Sequence, residues 1–216
     1  MSSAREEVLG RIRTALGERR PDVAVPRDYR ATDDRPAATL LDVLVDRLED
    51  YKASVLRCGP DEIATTVATA LDTALDTALD TGLGAGWDAA SIVVAPGVPA
   101  GWRPDGATED DGRPAVDLAA FSATLTGVAV AIAETGTLVL DGGPLSGRRA
   151  ISLLPDCLVC VVEAAQVVGG VPEALPRLDP NAPLTMVSGP SATSDIELQR
   201  VEGVHGPRTL VVVLVA

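Results

Sequence analysis

Residues 184–214 read LTMVSGPSATSDIELQRVEGVHGPRTLVVVL, an apolar run, a polar loop, a mixed segment and a second apolar run. The apolar runs, Leu184–Val187 and Leu210–Leu214, have the length of β-strands and contain β-branched residues. Between them, Ser194 and the glutamate three residues later form a capping-box pattern, which predicts a helix over Asp195–Val201. A strand, a helix and a second strand in this order are typical of α/β folds with parallel sheets.

The same alternation of strand-like and helix-like segments continues through most of the chain. The apolar runs on either side of Gly136 indicate an added antiparallel, hairpin-like element. We therefore predict a layered α/β domain with a mainly parallel sheet. Further strands are predicted at Ala53–Arg57, Ser91–Ala95, Val128–Ala133, Leu138–Leu140 and Leu158–Val162, and further helices at residues 61–81, Asp117–Leu125 and Val171–Leu178.

The first 50 residues have a different organisation. Apolar residues at helical spacing predict one helix over residues 3–17 and another around residues 41–48, with a polar, proline-containing linker between them. We predict an N-terminal helical arm at residues 1–50 and an α/β domain at residues 51–216. Residues 1–35 hold eight Arg and seven Asp or Glu, and the rest holds 10 basic and 24 acidic residues. This charge asymmetry suits contact of the arm with the acidic body or with a partner.

The composition excludes several classes of function. The net charge of −13 opposes binding to nucleic acid, and we expect none. Residues 1–20 are charged throughout and lack the apolar core of a secretory signal, and the apolar runs are too short to span a bilayer. Three cysteines suit a reducing compartment. We therefore expect a cytoplasmic protein. Because aromatic residues make up only 2% of the chain, we expect its core to consist of aliphatic side chains.

Cys157 and Cys160 form a C-x-x-C pair, which is a motif of metal and redox sites. They lie in a β-branched segment that predicts a strand, where residues three apart point to opposite faces. We therefore favour buried structural thiols. With one histidine and no further cysteine spacing to support a metal centre, we expect no metal site.

Glu134-Thr135-Gly136-Thr137 is the first candidate site motif, since it follows a predicted strand. A carboxylate at the end of a parallel strand enters the crevice where open α/β sheets bind ligands. Gly136 allows a tight turn and close approach of a ligand to the backbone. Alternatively, Glu134 accepts local backbone hydrogen bonds in an ordinary turn.

A second candidate is the glycine-rich loop at residues 141–149, which ends in the arginines Arg148 and Arg149. Arginine guanidinium groups bind phosphate and carboxylate through paired hydrogen bonds, and flexible glycines would let the loop close over such an anion. A plain surface loop with solvated arginines is the alternative.

The third candidate is the hydroxyl-lined loop from Ser188 to Thr193, which leads into the predicted helix of residues 195–201. Free backbone N–H groups at a helix N-terminus favour anions, although Asp195 in the first turn would partly oppose one. His205, the single histidine, follows on a glycine-flanked loop and is a candidate acid or base. It serves equally well as a structural residue of that loop.

Four motifs together resemble the lactate utilization protein C (LUD domain) family. They are Ala133-Glu134-Thr135-Gly136-Thr137, Ser152-Leu153-Leu154-Pro155, Ser188-Gly189-Pro190-Ser191 with Asp195-Ile196-Glu197, and Gly203-Val204-His205-Gly206-Pro207. The resemblance covers about residues 50–216, and the helical arm is also typical of the family. It implies a three-layer α/β fold similar to the NagB/RpiA/CoA-transferase group.

The resemblance also implies a role in the oxidation of L-lactate to pyruvate, beside partner proteins that carry iron–sulfur clusters. Since this chain lacks cysteines spaced for such a cluster, we expect it to hold no cofactor. It would be a non-redox subunit that binds substrate or scaffolds its iron–sulfur partners. The alternative is a stand-alone enzyme, similar to CoA-transferases, isomerases or cyclo-ligases of the fold group, in which Glu134 acts on a small anionic substrate.

For both functions we expect Glu134, Ser188, Ser191 and His205 to converge in one crevice at the strand ends. Glu134 and His205 are the predicted catalytic residues. The predicted ligand-binding residues, which would hold a small anion, are Thr135, Gly136, Thr137, Arg148, Ser188, Gly189, Ser191, Thr193 and Asp195.

Overall fold

A computed structural model describes residues 3–17, 24–80, 91–193, 201–202 and 206–216 of the chain. The chain divides into two compact units, Met1–Arg30 and Ala31–Ala216. Its helices are α1 (Ala4–Leu16), α2 (Ala37–Asp50), α3 (Ile63–Asp80), α4 (Ala115–Leu118), α5 (Arg149–Leu153) and α6 (Val171–Ala174). Its strands are β1 (Ser54–Cys58), β2 (Ile92–Val94), β3 (Thr108–Glu109), β4 (Ala123–Gly127), β5 (Val130–Ile132), β6 (Thr137–Leu140), β7 (Cys157–Glu163), β8 (Val167–Val168), β9 (Thr185–Val187), β10 (Ala192–Thr193), β11 (Val201–Glu202) and β12 (Thr209–Val215).

The first unit contains α1, where the sequence predicts a helix. Ser3 begins it through a capping box: the Ser3 hydroxyl accepts a hydrogen bond from the Glu6 amide at 3.3 Å, and the Glu6 carboxylate accepts one from the Ser3 amide at 2.8 Å. Gly17, with a φ of 66°, ends the helix.

The second unit is built on a six-stranded sheet in the order β1-β12-β7-β4-β2-β3, and every neighbouring pair is parallel. This confirms the predicted α/β fold with a mainly parallel sheet. The β7 and β12 strands lie side by side near the middle and pair over seven residues, from Cys157 opposite Thr209 to Glu163 opposite Val215.

Side chains of β7 and β12 alternate between two hydrophobic cores because successive residues of a strand point to opposite faces. Val159 and Val213 pack in one core with α3, whereas Leu158 and Val212 pack in the other with α2. Both strands are therefore covered on both faces, which explains their nearly continuous apolar sequences. The helix α3, the parallel sheet, and α2 with a second sheet form successive layers.

The second sheet has four strands in the order β8-β5-β6-β9. Neighbours β5 and β6 form the predicted antiparallel hairpin around Gly136, β9 is antiparallel to β6, and β8 is parallel to β5. Ala131 and Leu138 face the core shared with the main sheet, and Ile132 and Val139 face a third core that includes Ala174 of α6. The runs predicted at 128–133 and 184–187 are thus strands, but they do not belong to the main parallel sheet.

Two other predictions about secondary structure are wrong. The helix predicted over Asp117–Leu125 ends with α4 at Leu118, and β4 begins at Ala123 in the middle of the parallel sheet. Val201, predicted as the end of a helix, lies in β11, which pairs antiparallel with β10. The rest of that predicted helix, residues 195–200, and the Ser194 cap lie outside the described residues.

Helix α2 belongs to the second unit, although the sequence predicts it as part of an arm of 50 residues. Leu44 and Leu48 of α2 are fully buried in the core that contains one face of β7 and β12. The predicted arm is thus divided in the structure, since α1 lies in the first unit and α2 packs on the sheet of the second.

The C-terminal end of α2 forms a Schellman motif with a lysine at its left-handed position. The Ala53 amide donates to the Leu48 carbonyl at 2.9 Å and the Lys52 amide to the Glu49 carbonyl at 2.8 Å. Lys52 has a φ of 72°, a conformation in which glycine avoids the steric cost that a Cβ imposes.

Replacing Lys52 by Gly should therefore raise the free energy of unfolding by about 1 kcal/mol, because the left-handed strain is removed. Urea unfolding followed by circular dichroism measures the change. Lys52→Ala retains the Cβ and removes the charge, so it should leave stability within about 0.5 kcal/mol of the native value. Equal stabilisation by both substitutions would contradict the explanation from backbone strain.

Candidate functional site

A chain of three hydroxyl groups joins the hairpin turn to the loop after β9. The pairing of β6 with β9 places Leu138 opposite Val187, so that the adjacent residues Thr137 and Ser188 meet. The hydroxyl oxygens of Thr137 and Ser188 are 2.8 Å apart, and those of Thr135 and Thr137 are 2.7 Å apart. Thr137 is buried and lies in the middle of this chain. The second sheet therefore brings together three of the predicted ligand-binding residues.

Two glycines of the predicted site pack against the C-terminal end of α2. A Cβ added at Gly136 would lie 2.9 Å from Cβ of Arg47, and one added at Gly189 would lie 2.7 Å from Cβ of Tyr51. Both glycines have positive φ angles, 58° and 89°. Only glycine meets both requirements without strain, so these positions fix the hairpin turn and the loop after β9 against the same helix end.

Glu134 lies in an open recess between the hairpin turn and α2. Arg47, Asp50, Tyr51 and Thr135 line this recess with it, and its volume is about 450 Å³. The Glu134 amide donates to the Gly169 carbonyl at 3.1 Å, which continues the parallel pairing of β5 with β8. Glu134 does follow a parallel strand, as expected, but that strand belongs to the second sheet. Its side chain is exposed to solvent.

The carboxylate of Glu134 acts electrostatically on an arginine that precedes α2. A hydrogen bond with Asp33 is the main cause that raises the pKa of Arg35, and the negative charge of Glu134 adds a smaller contribution. Arg35 forms an ion pair with Asp33, with a separation of 2.6 Å between Nη2 and Oδ2. Glu134 therefore lies within electrostatic range of an arginine that is already paired.

A second cleft borders the loop from Ser188 to Ser191. Its volume is about 220 Å³. The Ser191 amide of the loop donates a hydrogen bond to the carbonyl of Pro207, which also lines the cleft, at 2.8 Å. The other lining residues are Arg149, Ser152, Leu153, Leu158, Thr185, Met186, Val187, Gly189, Pro190, Gly206 and Leu210. Of these, Leu158 and Leu210 stand near the beginnings of β7 and β12.

This position differs from the one expected for an open α/β sheet. The cleft borders the amino ends of β7 and β12, and Tyr51 of the Glu134 recess shortly precedes the start of β1. Ligands of open α/β sheets usually bind at the carboxyl ends. At the carboxyl ends of β2 and β4, the segment 144–148 is hydrogen-bonded to the sheet: the Gly97 and Gly127 amides donate to the carbonyls of Pro144 and Leu145.

Arg148 lies at this carboxyl edge and forms an ion pair with a buried carboxylate. Its Nε and Nη2 atoms are 2.6 and 2.8 Å from the two carboxylate oxygens of Asp110, and Nη2 also donates to the Arg113 carbonyl at 2.7 Å. The Asp110 side chain is 4% exposed, and the hydrogen bond from Arg148 is the main cause that lowers the pKa of Asp110. Within the described residues, Arg148 lines neither the recess nor the cleft.

The structure thus brings some of the predicted site residues together. Thr135, Thr137 and Ser188 are hydrogen-bonded, and Gly189 and Ser191 line the cleft next to them. Thr193 lies in β10. His205 and Asp195 lie outside the described residues, so the convergence of Glu134, Ser188, Ser191 and His205 stays a prediction.

Two residues of the recess, Arg47 and Tyr51, are not among the residues predicted from the sequence. They lie more than 80 residues before Glu134, and an arginine and a tyrosine near the end of an amphipathic helix carry no local signal of a site. Only the requirement for glycine at positions 136 and 189 hints that another element packs closely there.

All three cysteines are buried and unpaired. Cys157 lies in the core of α3 and Cys160 in the core of α2, which confirms the prediction of buried thiols on opposite faces of a strand. Burial raises the pKa of the Cys157 thiol, and it raises the pKa of the Cys160 thiol to about 12. Among the described residues, no cluster of His, Cys, Asp or Glu is arranged to hold a metal ion, and no helix is long and apolar enough to cross a membrane.

Comparison with known proteins identifies the family. The LUD domain matches residues 97–215, which include Glu134 and the loop from Ser188 to Ser191. The chain belongs to the LUD domain family. Lactate utilization protein C of Deinococcus radiodurans is 38% identical over 221 aligned residues, which cover 99% of this chain and 96% of that protein.

Two further comparisons agree with this membership. Lactate utilization protein C of Halalkalibacterium halodurans is 24% identical over 93% of this chain and 90% of its own length. The crystal structure of a DUF162 family protein from Deinococcus radiodurans superposes with a TM-score of 0.63 and 34% identity, over 84% of this chain and 99% of that one. The fold is therefore shared over most of the chain.

The ion pair of Asp110 predicts a large loss of stability on substitution. Asp110→Asn should lower the free energy of unfolding by about 3 kcal/mol, since it leaves a partly buried guanidinium without its counter-charge. Urea unfolding at pH 7 measures this loss. Asp42→Asn is a matched control: Asp42 pairs with Arg57 at 2.7 Å, but both side chains are exposed, at 68% and 48%. Its effect should stay below about 1 kcal/mol.

The same pair predicts a dependence on pH. The pKa of Asp110 is lower in the folded protein than the value of about 3.9 in unfolded chains, so ionisation of this group stabilises the fold above about pH 4. That stabilisation is lost as the pH falls through the folded-state pKa. The difference in stability between the native protein and Asp110→Asn should therefore shrink as the pH falls below about 4. A constant difference would rule out the ion pair as its source.

Gly189→Ala should destabilise the protein by about 2–4 kcal/mol, because the new methyl group meets Tyr51 and the backbone is left-handed. Gly112→Ala is the matched control, since Gly112 has a similar φ of 86° and nothing within 4 Å of the added Cβ. It should cost only the backbone strain, about 1 kcal/mol. Thermal or urea unfolding compares the two, and equal losses would mean that the close packing on α2 contributes nothing.

Proposed function

We propose that this chain acts in lactate utilization, as a subunit without a redox centre that works with iron–sulfur proteins in oxidising L-lactate to pyruvate. The observation that carries this proposal is the match to lactate utilization protein C of Deinococcus radiodurans along nearly the whole of both chains. The aligned region includes the recess, the cleft and the elements that position them.

The placement of the cysteines supports the absence of a cluster in this subunit. An iron–sulfur cluster is held by about four thiolates, or by thiolates with histidines, from side chains that converge on one point. This chain has three cysteines, and burial raises the pKa of Cys157 and Cys160, which disfavours their thiolates. Cys157 and Cys160 also point into different cores. Electrons from lactate would therefore pass to clusters in partner proteins.

The recess and the hydroxyl chain support a direct role in handling the substrate. Glu134 is exposed in the recess beside Tyr51, and the hydroxyls of Thr135, Thr137 and Ser188 extend from the recess to the cleft. A carboxylate can act as the base that accepts the hydroxyl proton of a 2-hydroxy acid during its oxidation. Neighbouring hydroxyl groups can orient such a substrate by hydrogen bonds. We propose Glu134 as the acid–base residue.

Recovery of the native complex tests the proposal. The tagged chain should co-purify from lactate-grown cells with proteins that carry iron–sulfur clusters, detected by iron and sulfide analysis, and the assembly should oxidise L-lactate. Deleting the gene should abolish growth on lactate in cells without a redundant system. Recovery of the chain without cluster-bearing proteins, or unimpaired growth of the deletion strain, would overturn the proposed role.

Glu134→Gln should lower the rate of lactate oxidation by the assembly about 100-fold or more while leaving its composition unchanged, because the base is lost and the shape is kept. Glu49→Gln removes the same charge from the exposed side of α2, outside the recess, and should retain the native rate. Steady-state turnover of the recovered assemblies measures both. A native rate in Glu134→Gln would reduce Glu134 to a residue of the turn.

The exposure of Glu134 also favours a second candidate, a stand-alone enzyme similar to CoA-transferases. In that reaction the carboxylate attacks the carbonyl of an acyl thioester and the CoA thiolate leaves, so that an acyl–glutamate anhydride remains. Hydroxylamine would trap the anhydride as a glutamyl hydroxamate, which mass spectrometry locates. A hydroxamate at Glu134 after incubation with acyl-CoA would establish this function in place of the first.

A further inference from the structure

An arginine that has no acidic partner among the described residues lies in the cleft beside the loop from Ser188 to Ser191. Arg149 begins α5, lines the cleft and is exposed. The preceding residue, Arg148, is held by Asp110, but the Arg149 guanidinium makes no hydrogen bond or ion pair within the described part of the chain. Arg148 is therefore a structural residue, whereas Arg149 is available to a ligand.

The charge around Arg149 favours an anion. The chain carries a net charge of −13, yet the lining of this cleft includes no Asp or Glu in the segments that the structure describes. A positive group in a concave site without nearby carboxylates concentrates anions from solution. The planar guanidinium also matches a carboxylate geometrically, because two of its N–H groups can donate to the two oxygens.

The rest of the lining includes both polar and apolar residues. The hydroxyls of Ser188 and Ser191 stand on the loop. Ser152 also lines the cleft, but it is buried and its hydroxyl donates to the Arg149 carbonyl at 3.0 Å. Leu153 and Met186, which are both accessible to solvent, supply an apolar surface in the same cleft. Inorganic phosphate would use the arginine and the hydroxyls but would gain nothing from the apolar side chains. A ligand with a carboxylate, a hydroxyl and a short alkyl group uses all three.

We propose that this cleft binds a small 2-hydroxy monocarboxylate, with its carboxylate on Arg149, its hydroxyl hydrogen-bonded to the Ser188–Ser191 loop and its alkyl group against Leu153 and Met186. The choice of ligand rests on the proposed role in lactate utilization, whereas the binding itself requires no partner protein. Ser188 joins the cleft to Thr137, so the bound acid would lie at one end of the hydroxyl chain that leads towards Glu134. Arg149 is the residue that determines binding.

The test uses the purified full-length chain and sodium L-lactate at constant ionic strength. Nitrogen-15 NMR spectra should show saturable shifts of the Arg149 side chain and of the Ser188–Ser191 amides. Propionate, which lacks the hydroxyl, and inorganic phosphate should each bind at least about fivefold more weakly, because a site that hydrogen-bonds a hydroxyl discriminates against ligands that cannot pair with it.

Arg149→Gln should weaken L-lactate binding by at least about tenfold, since it removes the charge-assisted hydrogen bonds to the carboxylate. Arg208→Gln is the matched control: Arg208 follows Pro207 of the cleft, is exposed and pairs weakly with Asp156 at 3.7 Å, but does not line the cleft. It removes an equal charge nearby and should leave the affinity within twofold. Ser188→Ala should weaken binding and also reduce the preference for lactate over propionate.

Three results would overturn the site: no saturable shift with L-lactate, equal affinity in Arg149→Gln and the native chain, or phosphate binding as tightly as lactate. These results differ from a failure of the proposed function. Co-purification with cluster-bearing proteins and loss of growth on lactate would still hold if the cleft bound no hydroxy acid. Conversely, lactate binding that depends on Arg149 would stand even if the chain assembled with no partner.

Discussion

Burial of β7 and β12 on both faces is the constraint on which the site depends. Leu158, Val212 and the other residues of their second face require an apolar cover, and α2 and the second sheet supply it together. Each fully buried leucine or valine contributes about 1.5–3 kcal/mol, so this packing fixes α2 and the β5–β6 hairpin against the same surface. The turn at Gly136 then reaches the end of α2, where both the recess and the hydroxyl chain form.

Much of the fold could be predicted from the sequence, because strands buried on two faces are continuous apolar runs. An apolar run does not show to which sheet its strand belongs. The runs of β5 and β9 resemble those of the parallel sheet, but both strands lie in the second sheet because tertiary packing sets their partners. The first part of β4 lies in the segment that the sequence predicts as helix, because Thr124 and Thr126 interrupt the apolar pattern expected of a buried strand. Both are fully buried, and the Thr124 hydroxyl donates to the Ile151 carbonyl at 2.5 Å.

The candidate site could be predicted only in its local parts. Thr135, Thr137 and Ser188 belong to motifs that the sequence displays, and strand pairing explains why they meet. The contribution of α2 depends on contacts across more than 80 residues, which no local pattern reveals. Likewise, the sequence shows Arg148 and Arg149 as an equivalent pair. Only Asp110, 38 residues before Arg148, distinguishes a structural arginine from one that is open to a ligand.

The last turn of α2 connects the two concave surfaces physically. Gly136 and Gly189 leave no space between this turn and the two loops, so a shift of the helix end would move both loops together. The hydroxyls of Thr135, Thr137 and Ser188 join the same loops by hydrogen bonds. A ligand that orders Ser188 would therefore also order Thr135 at the rim of the Glu134 recess. The recess and the cleft are thus joined by one hydrogen-bonded chain, and the packing of α2 on the sheet holds both in place.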